Sequence, residues 1–153
     1  MGEVRVDVKL VNAIDEGMLR RGLLTKDQVR SYEASALVDT GSVSTVLPID
    51  VVKKLGLGLV DHRMAEYANG LKEIVDLTEP VTIIIHGRRT VEDAMVLGDE
   101  VLIGQTVLET LDFHVDCANQ RVVPNPAHPD QAVNKVKSLS SARMPAVGVP
   151  ETE

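Results

Sequence analysis

Apolar and polar residues alternate along several short segments of the chain, which is the pattern of half-buried β-strands. The clearest segment spans 4–10, where valine and leucine at even positions alternate with charged residues. Further strands are predicted over 29–38, over the β-branched run 81–86, and over 91–97, which returns after a turn at Gly87 and Arg88. Residues 113–116 and 120–123 predict a last hairpin. The pattern therefore predicts an all-β domain.

Helical spacing is confined to short segments between these strands. Residues 12–28 are more helical or loop-like than extended. Pro48 can open a helix whose apolar face holds Val51, Val52 and Leu55, and Gly56 can end it. Apolar residues at 107, 108 and 111 share a second helical face. We therefore expect one or two short helices beside the strands.

A carboxylate follows one of the predicted strands. The apolar run Ala36-Leu37-Val38 leads directly into Asp39-Thr40-Gly41-Ser42. Gly41 can adopt backbone angles that a side chain would forbid, so a tight turn is expected here. An acid that is delivered onto such a turn is placed to act on a substrate rather than to pack in the core.

A second segment has the same order of predicted elements as the segment around Asp39. Val101-Leu102-Ile103-Gly104 is another apolar strand that ends at glycine and runs into a short helix. Two strand–glycine–helix units in one chain indicate a pseudo-duplicated half-barrel. Only the first unit carries an aspartate.

Residues 67–70, Tyr67-Ala68-Asn69-Gly70, form the third candidate element. Asn-Gly is the strongest short signal for the turn of a β-hairpin. An ordinary surface hairpin and a hairpin that covers a binding site have the same signature, so both interpretations stay open from the residues alone.

In these motifs the chain resembles the retropepsins, the single-domain aspartic proteases of retroviral type, and especially their small bacterial relatives. The matching residues are spread over 4–124 in the order of that family: Leu37 to Ser42, Leu47-Pro48, Leu55-Gly56-Leu57, Tyr67-Ala68-Asn69-Gly70 and Leu102-Ile103-Gly104. The resemblance implies an all-β, closed barrel of a half-pepsin that assembles as a twofold homodimer. It also implies that residues 67–70 are the flap that covers the substrate.

The chemistry that the resemblance implies is peptide hydrolysis by two carboxyls. An ionised carboxylate takes a proton from water while a protonated one polarises the peptide carbonyl. The sequence holds no second Asp-Thr-Gly or Asp-Ser-Gly, so a working pair needs Asp39 from a second subunit across a twofold axis. By the same resemblance Thr40 bonds across the axis, Gly41 admits the substrate backbone, and the Ser42 hydroxyl donates to the Asp39 carboxylate.

The composition limits the kinds of partner that the chain is expected to bind. A net charge of −7 argues against nucleic acid as a partner, because proteins that bind nucleic acid need a basic surface. No stretch approaches the length of a membrane helix, and the start of the chain lacks a signal-peptide core. Cys117 is the one cysteine, which indicates a reducing cytoplasm. The four histidines have no ligand spacing, so we expect no metal and no cofactor. The expected partners are a second copy of the chain and a peptide or protein substrate.

Two functions remain open at this point. The first is an aspartic endopeptidase with residues 1–124 as its domain and 125–153 as a disordered tail, since the tail is rich in proline, serine and charge. The second is a non-catalytic retropepsin-like module for dimerisation or peptide binding, in which Asp39 is only a turn residue. The expected walls of the substrate groove are aliphatic: Val43, Val46, Ile84, Leu97 and Leu102.

Overall fold

The structure is a computed structural model, and it describes residues 2–137 of the chain. Within these residues the chain forms eleven strands, three α-helices and one 3₁₀ turn at Lys26–Gln28. The strands are β1 Val4–Asn12, β2 Ser31–Val38, β3 Thr45–Leu47, β4 Leu59–Glu66, β5 Lys72–Thr78, β6 Val81–Ile85, β7 Arg88–Glu92, β8 Ala94–Val96, β9 Leu102–Ile103, β10 Phe113–Asp116 and β11 Arg121–Pro124. The helices are α1 Ala13–Arg20, α2 Ile49–Leu55 and α3 Gln105–Leu111. The predicted all-β class is confirmed, with three helices where the sequence predicted one or two.

Nine of the strands form one sheet in the order β4-β5-β8-β3-β9-β2-β1-β6-β7. Strands β4 and β7 stand at the two ends of this order. Most neighbours are antiparallel, but β2 runs parallel to β9, with Leu37 opposite Leu102 and Val38 opposite Ile103. Because parallel strands end at the same edge of a sheet, the residues after β2 and after β9 meet. These are Asp39 and Gly104.

The first predicted helix has both ends that the sequence indicates, and the second has the predicted start. Helix α2 begins after Pro48, and Gly56 ends it with φ of 66°, a left-handed conformation that suits glycine. Helix α3 begins after Gly104 and ends at Asp112, whose φ is 61°. Each helix buries its apolar face against the sheet.

The core is aliphatic, as expected for a chain with three aromatic residues. Alternate residues of β1 point into it, because successive side chains of a strand project to opposite faces. The largest fully buried apolar side chains are Leu10, Leu47, Leu55, Ile83, Ile85, Ile103, Leu111, Val52, Val81 and Val107.

The N-terminal arm 12–28 holds α1 and a buried amide. Asn12 is 1% exposed, and its side chain caps α1 by accepting the backbone N–H of Asp15 at 3.0 Å. The same side chain donates to the carbonyl of Leu55 at 2.8 Å, at the end of α2. Asn12 therefore joins β1, α1 and α2.

The strand predicted over 91–97 is broken into two. Val91 belongs to β7 and pairs with Thr82 of β6, whereas β8 pairs with β3 and β5 on the other side of the sheet. The N–H of Ala94 leaves the ladder at the break and donates to the Thr78 hydroxyl at 3.0 Å. Alternation alone does not show such a crossing, because both halves keep the same period.

The chain after β11 is held against the domain. The Asp112 carboxylate accepts hydrogen bonds from Asn125, His128 and the backbone of Val133. Residues 125–134 are thus attached to the end of α3 through these bonds, although the sequence places them in a disordered tail. The boundary at 124 stays a prediction, and residues 138–153 of the predicted tail lie outside the described residues.

Candidate active site

A cleft of about 560 Å³ lies between the Asp39 turn and the tip of the β4–β5 hairpin. Its polar side chains come from both the turn and the hairpin, and its remaining walls are mostly aliphatic. The lining residues are Asp39, Gly41, Ser42, Val46, Ala65, Glu66, Tyr67, Ala68, Met95, Leu97 and Leu102. The cleft therefore brings residues of the first motif, the hairpin tip and the second motif together.

Asp39 is exposed and is fixed by hydrogen bonds at both ends of its turn. Its N–H donates to the carbonyl of Ile103 at 3.0 Å, which continues the pairing of β2 with β9. Its carboxylate accepts the N–H of Gly41 at 3.0 Å, and its carbonyl accepts the N–H of Ser42 at 3.1 Å. A Cβ at Gly41 would lie 3.3 Å from the Asp39 carboxylate, so glycine leaves room for it. The carboxylate is held in place and open to the cleft.

The neighbours of Asp39 differ in what they contact. Thr40 is exposed, and its hydroxyl makes no hydrogen bond within residues 2–137. The Ser42 hydroxyl lies 3.4 Å from the carbonyl of Ser44, at the long end for a hydrogen bond. Its expected bond to Asp39 stays a prediction, as does the expected bond of Thr40 to a second subunit.

Gly104 supports the Asp39 turn from behind. A Cβ at this position would lie 2.6 Å from the carbonyl oxygen of Ser42 and 2.8 Å from those of Val43 and Ser44. The N–H of Gln105, at the start of α3, donates to the Ser42 carbonyl at 2.7 Å. The first amides of a helix need acceptors outside the helix, and here the turn supplies one. The apolar-apolar-glycine motif is thus the platform of the Asp39 turn.

The hairpin tip has the geometry that its sequence predicts. The N–H of Tyr67 donates to the carbonyl of Leu71 at 2.8 Å, and Gly70 has φ of 86°. The Asn69 side chain accepts the N–H of Leu71 at 3.0 Å. Tyr67 and Ala68 line the cleft, whereas Asn69 and Gly70 form the turn beyond it. The first two residues of the tip, Tyr67 and Ala68, therefore share the cleft with Asp39.

A carboxylate stands beside Tyr67 in this hairpin. The Tyr67 hydroxyl donates to the Glu73 carboxylate. This bond and the negative charge of Glu73 raise the pKa of Tyr67 above its ordinary value. The raised pKa favours the neutral phenol, which keeps its proton for this hydrogen bond.

The residues that line the walls of the cleft agree only partly with the five aliphatic residues that the sequence predicted. Val46, Leu97 and Leu102 line the cleft. Val43 is 69% exposed on another surface, and Ile84 lies in β6, away from the cleft. Their placement depends on which strands become neighbours, and apolarity alone does not give that.

Three lining residues were missed from the sequence, namely Met95, Ala65 and Glu66. Met95 lies in β8, and its position depends on the crossing between β7 and β8. Ala65 precedes Tyr67 by two residues in β4, so the two side chains share a face. That spacing was the available signal for Ala65.

No group of three or more metal-ligating side chains occurs within residues 2–137. Cys117 is an exposed free thiol in the turn between β10 and β11. No helix of the described part is long and apolar enough to cross a lipid bilayer.

Comparisons with known proteins add a likeness of fold. No family model matches the chain, and no curated protein matches it. Among solved structures, the EIAV protease complexed with the inhibitor HBY-793 is 19% identical, with a TM-score of 0.48 over 71% of this chain and 86% of that one. The simian foamy virus (mac) protease is 12% identical, with a TM-score of 0.43 over 68% of this chain and 90% of that one. At these identities the likeness concerns the arrangement of strands and not the chemistry.

Proposed function

We propose that the chain is an aspartic endopeptidase that works as a homodimer. The observation that carries the proposal is the position of Asp39. Its carboxylate is exposed in a cleft, fixed by the N–H of Gly41, and faces a hairpin tip across an aliphatic groove. The groove suits an extended peptide with apolar side chains.

In the proposed reaction the two Asp39 side chains of a dimer share one proton. The ionised carboxylate takes a proton from a water molecule, whose oxygen attacks the peptide carbonyl. The protonated carboxyl donates a hydrogen bond to the carbonyl oxygen and stabilises the charge that develops there. The C–N bond then breaks, and the leaving amine takes a proton from the pair. One water is consumed for each peptide bond cleaved.

A dimer is proposed because one chain supplies one Asp39 and no second Asp-Thr-Gly. Thr40, exposed beside it, is free to bond to the same turn of a second copy. Two strand edges within the described residues also favour the assembly of a dimer. Residues 4–8 of β1 pair only with β2, and β11 pairs only with β10. A cavity of about 540 Å³ separates these edges, and a strand of a second copy could occupy it.

The flap role of residues 67–70 is part of the proposal. A hairpin above the carboxylates excludes water and offers backbone groups to an extended peptide. The proposed partners are thus a second copy of the chain and a peptide or protein substrate. Cys117, as the one cysteine, supports the proposal of a reducing compartment such as the cytoplasm.

The test is Asp39→Asn, assayed with a mixed peptide library at acid pH. The amide keeps the shape and accepts the Gly41 N–H, but it cannot accept a proton from water. We expect hydrolysis to fall to background while sedimentation still shows a dimer. Asp99→Asn, at an exposed turn outside the cleft, is the matched control and should keep full activity. Hydrolysis that survives Asp39→Asn, or full activity from a sedimenting monomer, would overturn the proposal.

The non-catalytic module is the second candidate. The observation that favours it is that the cleft of a single chain contains one Asp39 beside mostly aliphatic walls, which is enough to bind a peptide. A statine-type transition-state mimic separates the two candidates. An endopeptidase binds the mimic much more tightly than the corresponding peptide, whereas a binding module treats both alike.

A further inference from the structure

Strands β4 and β5 and the tip between them form the flap hairpin. The face of this hairpin that points to the cleft carries a charge. Ala65 is opposite Glu73 and Arg63 is opposite Val75 in the register of β4 and β5. Cross-strand partners project to the same face of a sheet. Ala65 and Val75 are buried, at 7% and 6% exposure, so this is the inner face. The Glu73 carboxylate therefore lies on the cleft side of the hairpin.

Glu73 is linked to the cleft by its hydrogen bond with Tyr67. One of its carboxylate oxygens, Oε1, accepts the phenol of Tyr67, which lines the cleft, and this bond leaves Oε2 for another donor. Arg63 is on the same face, one residue pair further from the tip. Within residues 2–137, Glu73 forms no ion pair with Arg63 or with another basic side chain.

The lining of the cleft contains no basic side chain. Its charged residues are Asp39 and Glu66, and both are acidic. A basic substrate group near Tyr67 would gain from the Glu73 charge, and its methylene stem could pack on the aromatic ring. An acidic group would be repelled by all three carboxylates.

We propose that the Tyr67–Glu73 pair binds a lysine or arginine side chain of the substrate. The substrate class is then a peptide that is apolar around the cleaved bond and carries one basic residue on the hairpin side. This inference rests on the proposed endopeptidase function and names the substrate class of the same site.

The experiment compares peptides that share an aliphatic centre and carry lysine, Nε-acetyl-lysine or glutamate at each flanking position in turn. Acetylation keeps the stem and removes the charge. We expect kcat/KM to favour lysine over acetyl-lysine about two- to fivefold at one position, the range for a solvent-exposed charge pair. The preference should shrink at high salt, because exposed charges are screened.

Glu73→Gln is the decisive variant, since its amide oxygen can still accept the Tyr67 hydroxyl. It should lose most of the preference for lysine, while Asp39 and Glu66 remain in the cleft. Asp76→Asn is the matched control: it lies in the same strand on the opposite face of the hairpin and is bonded to His62. This control should keep the preference. Equal rates in the unsubstituted protein, or a preference that Glu73→Gln leaves undiminished, overturn the inference.

A binding assay separates this inference from the proposed function. Fluorescent lysine and acetyl-lysine peptides are titrated into Asp39→Asn protein with and without Glu73→Gln. If the unsubstituted protein hydrolyses nothing, the endopeptidase proposal fails, but a lysine preference in binding that depends on Glu73 still supports the inference. Equal affinities overturn the inference alone, and no binding of either peptide overturns both.

Discussion

Replacing Gly104 by alanine tests whether the second motif is the platform of the Asp39 turn. The backbone of Gly104 has φ of −96° and ψ of −176°, which any residue can adopt. Alanine in a compatible backbone stabilises a protein by about 0.4–1 kcal/mol, because the unfolded chain has fewer conformations to lose. A gain is therefore the expected result if the site has room for a methyl group.

The structure shows that it has no such room. The new Cβ would lie 2.6–2.8 Å from the carbonyl oxygens of Ser42, Val43 and Ser44, closer than real Cβ contacts. Overpacking of this kind costs about 1–3 kcal/mol. We expect a net loss of about 1–2 kcal/mol in the free energy of unfolding, after the gain is subtracted. For a chain of this size that lowers Tm by about 2–8 °C.

The assay is thermal or urea unfolding beside peptide hydrolysis. The carbonyls that must move belong to the chain that continues from Asp39, so kcat/KM should fall by about tenfold or more in folded Gly104→Ala protein. Gly17→Ala is the control: this residue lies inside α1, and its Cβ would be 3.6 Å from the Arg20 side chain. It should stabilise the protein by up to about 1 kcal/mol. A Gly104→Ala variant that is as stable and as active as the unsubstituted protein would refute the platform.

Two further predictions concern groups outside the cleft. Asn12→Ala should cost about 2–4 kcal/mol in urea unfolding, since it removes a helix cap and leaves the buried carbonyl of Leu55 without its donor; a cost below about 0.5 kcal/mol would contradict this. Bonds from Asn125, the Val133 N–H and His128 lower the pKa of Asp112 to about 2. A lowered pKa means that the carboxylate adds stability above its ordinary pKa and loses it as pH falls. The Tm difference between unsubstituted protein and Asp112→Asn should thus shrink between about pH 5 and pH 2, and a constant difference would show that this carboxylate does not stabilise the fold.

Local pattern was enough to predict the elements that border the site. Alternation gave β1 within two residues of its observed end, and the Pro48 and Gly56 signals gave the limits of α2. These signals are local because the backbone period and the turn residues act over a few positions. The two strand–glycine–helix motifs linked the Asp39 turn with Gly104 in the sequence. The parallel pairing of β2 with β9 explains why these two segments are neighbours in the structure.

The remaining features depend on contacts between distant parts of the chain. The break between β7 and β8 keeps the alternation on both sides, so the crossing that places Met95 in the cleft leaves no local trace. The bonds that the Asp112 carboxylate accepts from Asn125 and Val133 join residues that are 13 and 21 positions apart. Glu73 gains its position only from the register of β4 and β5. Polar composition and local period carry no information about such pairings.

The flap hairpin is joined to the rest of the sheet over a very short length. Strand β5 pairs with β8 only at Asp76 and Leu77, and beyond that point β4 and β5 pair with each other alone. An isolated two-stranded hairpin is marginally stable in water, so its tip can separate from the cleft while the core stays folded. If the chain is the proposed endopeptidase, global stability and the rate of substrate entry are set by different residues. Substitutions in the tip are then expected to change turnover with little change in the free energy of unfolding.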